Sequence, residues 1–92
     1  MSGRDDVYAA IDSERDYQDA QWGGTSEGGR PGNGFRSVDA YAAYIQRYTN
    51  VLIEVVGTSD NDMRKLDVIR KIAGLCVVCM EQHGAHKRKG AA

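Results

Sequence analysis

The sequence predicts an all-α fold: a short N-terminal helix, a glycine-rich loop and an antiparallel two-helix hairpin, assembled as a homo-oligomer. Three observations predict it. Two long segments carry apolar residues at alternating spacings of three and four. A stretch with six glycines in fourteen positions interrupts the chain ahead of them, and capping residues stand where each segment begins. Ninety-two residues make one domain, whose surface is large for the core it encloses, so self-association is the expected reinforcement.

The first helix is expected over residues 4–21. It is rich in acids, with Asp5, Asp6, Asp12, Glu14, Asp16 and Asp19 against Arg4 and Arg15, and its apolar residues are Val7, Tyr8, Ile11, Tyr17 and, just beyond, Trp22. Residues 23–36 hold too many glycines for a helix or strand interior and read as a loop around Pro31, the sole proline. Ser37 is a good N-cap for a second helix over 38–56, where Tyr41, Ile45, Tyr48, Leu52 and Val55 fall on one stripe; that helix should stop near Gly57. Residues 58–62, Thr-Ser-Asp-Asn-Asp, are turn and cap chemistry that introduces a third helix over 61–83, with Gly84 as its stop and 85–92 as a flexible tail. This helix carries two apolar stripes, one of Leu66, Ile69, Ala73, Cys76 and Met80, the other of Val68, Ile72, Leu75 and Cys79. A single partner cannot cover both, so the first helix and a second subunit are both expected against it.

A net charge of −1 conceals an acidic first helix and a basic end, where Arg64, Lys65, Arg70, Lys71, Lys87, Arg88 and Lys89 face only Asp67 and Glu81. Such opposition suits packing between segments or subunits better than binding nucleic acid along one basic face, so no nucleic-acid partner is expected. Two cysteines, no basic leader with an apolar run behind it, and no apolar stretch near 20 residues predict a cytoplasmic, reduced protein without a membrane partner.

Three groups carry candidate chemistry. Cys76-x-x-Cys79, with His83 and His86, has zinc-like spacing, but the pair lies in a continuous helical apolar run without the turn that wraps an ion, and reads as core. Asp12, Asp16 and Asp19 share a face of the first helix and would hold Mg²⁺ if they converged on it; the alternative is a solvated acidic face or salt bridges to the basic third helix. The glycine-rich stretch favours a ligand. Backbone N–H groups around Gly24 can approach an anion, Arg30 and Arg36 can fork onto phosphate, Thr25, Ser26 and Asn33 add neutral hydrogen bonds, and Tyr17 and Trp22 can stack on a ring. Tyr41, Tyr44 and Tyr48 would also make a stacking platform, although aromatics at helical spacing usually enter a core. No P-loop or dinucleotide fingerprint is present.

Two motifs add a resemblance. Glu14-Arg15-Asp16-Tyr17-Gln18-Asp19 with Gln21-Trp22-Gly23, and Leu66-Asp67-Val68-Ile69-Arg70-Lys71-Ile72-Ala73 running into Cys79-Met80-Glu81-Gln82-His83-Gly84, resemble small helical proteins of tailed bacteriophages, themselves distantly similar to MazG-type nucleotide pyrophosphohydrolases. The MazG pattern of Glu-x-x-Glu and Glu-x-x-Asp on successive helices does not occur; Asp16-x-x-Asp19 comes nearest. The resemblance implies a phage protein in the host cytoplasm, without a cofactor, that binds and sequesters a nucleotide-derived defence signal such as a cyclic nucleotide or an ADP-ribose-like molecule. Its alternatives are a Mg²⁺-dependent pyrophosphohydrolase and a protein that inhibits a host factor by contact.

Overall fold

A computed structural model describes residues 3–22, 26–27, 30–31 and 35–90. Its regular structure is three helices, α1 (Arg4–Trp22), α2 (Val38–Thr58) and α3 (Asp62–His83), with a minimal antiparallel ladder of β1 (Ser26–Glu27) and β2 (Arg30–Pro31) between α1 and α2. Ser26 is opposite Pro31 and Glu27 opposite Arg30. These two-residue strands lie within the stretch read from sequence as a loop over 23–36. The pairing uses the non-glycine dipeptides on either side of Gly28-Gly29, a combination that favours two-residue hairpins.

The caps account for the helix bounds. Ser37 Oγ accepts the Ala40 N–H at 3.0 Å, and Asn61 Oδ1 accepts the Met63 N–H at 2.9 Å, so each helix gains a partner for an otherwise orphaned donor. At its far end α2 runs through Gly57 to Thr58 instead of stopping at 56. Thr58 Oγ1 donates to the Glu54 carbonyl and the Ser59 N–H to the Val55 carbonyl, closing one more turn over the glycine. Gly84 does end α3: its φ of 110° lies where only glycine is comfortable, and its N–H returns to the Met80 carbonyl at 2.8 Å.

The core lies where α2 meets α3. Tyr41, Leu75 and Val78 are buried, with Ile45, Tyr48 and Cys79 packed against them. Burying Leu75 and Val78 contributes about 1.5–3 kcal/mol each. The stripe expected on α2 is therefore its inner face. On α3 the Val68, Ile72, Leu75 and Cys79 stripe turns inward, whereas Leu66, Ile69 and Met80 of the other stripe stay about half exposed. The Arg36 N–H, just ahead of α2, donates to Gln82 near the end of α3, so the start of α2 lies beside the end of α3.

The docking of α1 departs from expectation. Val7, Tyr8 and Tyr17 are at least half exposed, and the residues α1 buries are Glu14, Arg15 and Gln18, each at 5–6 % exposure. Charges take the place of an apolar face because each has a partner. Arg15 donates from Nε to Glu81 at 2.6 Å, from Nη2 to Asp19 at 2.8 Å and from Nη1 to Gln18 at 3.1 Å. Burial of this guanidinium, which lowers its pKa, is outweighed by the bonds to Glu81 and Asp19, and the net shift is upward. Arg70 links Glu14 at 3.0 Å to Asp67 at 2.8 Å, and these bonds raise its pKa. Among the described residues no buried side-chain nitrogen or oxygen lacks a partner. Gly74 gives the polar stripe room: a Cβ there would come within 2.8 Å of Gln18 Nε2 and 2.9 Å of Glu14 Cγ. Among the described residues no helix is long and apolar enough to cross a membrane.

Candidate ligand-binding site

A depression of about 410 Å³ opens on α2, walled by Tyr41, Tyr44, Arg47, Tyr48 and Val51, with Arg36 at its edge and Leu75 of α3 completing the lining. Helical geometry brings these residues together, because positions 41, 44, 48 and 51 recur every three or four residues and Arg47 adjoins them. The Tyr41 and Tyr44 rings meet edge to face, centroids 6.4 Å apart. Tyr41 is 1 % exposed; burial is the main influence raising its hydroxyl pKa, against a hydrogen bond from Gln82 that lowers it. Tyr44 is about a third exposed and offers a face to solvent. Arg47 is exposed and has no ion-pair partner among the described residues. Arg36 Nη1 donates to the Phe35 carbonyl at 2.9 Å, which holds the guanidinium close to its own backbone.

A second depression, about 230 Å³, shares Tyr48 and Leu75 with the first, so the two adjoin. Its other walls are Glu14, Tyr17, Gln18 and Gln21 of α1 and Lys71 of α3. Together they form a polar and aromatic surface carrying Arg36, Arg47 and Lys71. Guanidinium forks bind phosphate oxygens in pairs, and tyrosine rings stack on planar groups, so this surface suits an anion bearing a ring.

Of the site residues expected from sequence, Arg36 and Tyr17 line these depressions, one in each. Trp22 closes α1, and Ser26 and Arg30 lie in the small ladder. Gly24, Thr25 and Asn33 fall outside the described residues. Asp12 and Asp16 are exposed, Asp19 is paired with Arg15, and among the described residues no three His, Cys, Asp or Glu side chains converge as metal ligands. Cys76 and Cys79 are free thiols on the helical run expected for them.

Arg47 and Lys71 were not singled out by sequence. A cation on an amphipathic helix reads as its solvated face, and only the adjacency Tyr44-x-x-Arg47-Tyr48 on the tyrosine stripe marks Arg47 as different. Lys71 has no such signal. Compared with protein-family models, with curated proteins and with solved structures, the chain matches none.

Proposed function

We propose that this is a non-enzymatic binding protein that holds a phosphorylated nucleotide derivative intact. The observation that carries this reading is the lining of the larger depression by two guanidinium groups and three tyrosines, in a volume within the range of small-molecule sites. Phosphate sits between Arg36 and Arg47, and the base or ribose packs on Tyr44 and Tyr48. The glycine-rich stretch precedes Arg36 in the chain, and Tyr17 in the adjoining depression supplies a further ring contact.

The working unit is an antiparallel α2–α3 hairpin repeated in a homo-oligomer, a reading supported by the half-exposed Leu66, Ile69 and Met80 along α3. The resemblance of the Glu14–Asp19 and Cys79–Gly84 segments to tailed-phage proteins supports a narrower reading. In it the ligand is a cyclic nucleotide or ADP-ribose-like signal of host antiviral defence, sequestered in the host cytoplasm. Thermal shift of the full chain against cyclic dinucleotides, cyclic ADP-ribose isomers and ordinary nucleotides tests the reading. A ligand at a hundred times its Kd adds about 2.7 kcal/mol of apparent stability, a clear rise in melting temperature. A panel without any rise sinks the proposal.

A further inference from the structure

We infer that Gln82 and His83 are positioning residues for the ligand site, a clamp at the end of α3 that fixes Arg36 and Tyr41; this rests on the binding reading above. Arg36 precedes the N-cap of α2, so no helical hydrogen bond sets its backbone. Two consecutive α3 residues hold it instead. Gln82 Oε1 accepts the Arg36 N–H at 3.1 Å, and His83 Nε2 lies 2.7 Å from the Arg36 carbonyl oxygen. The His83 ring also packs on Phe35, centroids 5.2 Å apart, so the peptide on the other side of Arg36 is held too.

Gln82 has a second role. Its side chain also hydrogen-bonds the Tyr41 hydroxyl, and one amide therefore ties the edge of the site to its buried wall. An amide suits both tasks because it offers an acceptor and a donor at once. Gly84 ends α3 directly after the clamp, so the helix delivers Gln82 and His83 in its last turn and goes no further. A binding guanidinium gains from being held in advance, since less freedom is lost when ligand arrives.

The test uses Gln82→Met, close in volume but without the amide, and His83→Phe, which keeps a ring for Phe35. Binding of whichever panel nucleotide shows the largest thermal shift, and of its phosphate-free nucleoside, is measured by calorimetry. The clamp predicts that Gln82→Met weakens nucleotide binding about tenfold and nucleoside binding much less, with His83→Phe in the same direction. It also predicts that Gln82→Met combined with Arg36→Ala loses no more of the nucleotide-over-nucleoside preference than Arg36→Ala alone, since Gln82 reaches the phosphate only through the Arg36 guanidinium. Hydrogen exchange at the Arg36 amide is slow in the wild type and accelerates in Gln82→Met; rescue of slow exchange by Gln82→Glu, which retains the acceptor, completes the pattern. Additive losses, equal losses for nucleotide and nucleoside, or fast wild-type exchange at Arg36 overturn the clamp while leaving the binding reading standing. A wild-type chain that binds no nucleotide overturns the binding reading itself, and the clamp's role with it.

Discussion

Replacing Gly74 with alanine adds a methyl group where α3 packs against Glu14 and Gln18 of α1. The new Cβ would stand 2.8 Å from Gln18 Nε2, 2.9 Å from Glu14 Cγ and 3.1 Å from Gln18 Oε1, against ordinary contacts of 3.4 Å or more. Neither neighbour moves freely. Gln18 Oε1 accepts from Arg15, and the Glu14 carboxylate is fixed by Arg70. Overpacking of this kind costs about 1–3 kcal/mol, while exchanging glycine for alanine inside a helix recovers about 1 kcal/mol. The net expectation is a loss of up to about 2 kcal/mol, falling on the docking of α1 and not on the α2–α3 core. Urea unfolding of the purified variant gives the total, and hydrogen exchange along the backbone locates it in residues 8–22. A variant as stable as the wild type or more so, with α1 equally protected, refutes the close-packed crossing.

Three further outcomes follow from the same structure. Ser37→Ala removes the acceptor for the Ala40 N–H and should cost about 1 kcal/mol in chemical denaturation, because a cap side chain has no local substitute. Burial raises the Tyr41 pKa above its ordinary value of 10.0; the unfolded chain therefore ionises first, and stability present below pH 10 declines as pH rises through the folded value. Ultraviolet titration should show one tyrosine lagging the others, and five coincident transitions would contradict it. Replacing both Leu66 and Ile69 with aspartate, at exposed positions, should leave helical content unchanged while lowering the mass found by light scattering; an unchanged mass rules that face out as the subunit contact.

Helices α2 and α3 were legible because two independent signals coincide in them. The spacing of Tyr41, Ile45, Tyr48, Leu52 and Val55 marks an inner face, and Ser37, the cluster over 58–62 and Gly84 mark where backbone groups need partners. On α3, sequence shows two apolar stripes without a rule for choosing between them, since Leu66 and Leu75 have identical chemistry and only packing against Tyr41 separates them. The docking of α1 was hidden for a related reason. Glu14, Arg15 and Gln18 look like solvent-facing residues until Arg70, Gly74 and Glu81, more than fifty positions along the chain, are seen to lie against them. Half of the candidate site was visible in Arg36 and the tyrosine spacing. Arg47 was not, because whether a helical cation faces a depression or open water depends on what lies next to it.

The central claim is that Arg36 and Arg47 grip phosphate while tyrosines hold the attached ring. Isothermal titration of the full chain with a nucleotide, its nucleoside and inorganic phosphate, repeated on Arg36→Ala and Arg47→Ala, tests it most directly. A lost charge-assisted bond costs about 1.5–3 kcal/mol, so each substitution should weaken nucleotide binding by roughly ten- to a hundredfold and nucleoside binding far less. Nucleotide affinity that survives both substitutions unchanged, or a chain that binds none of the three, contradicts the account.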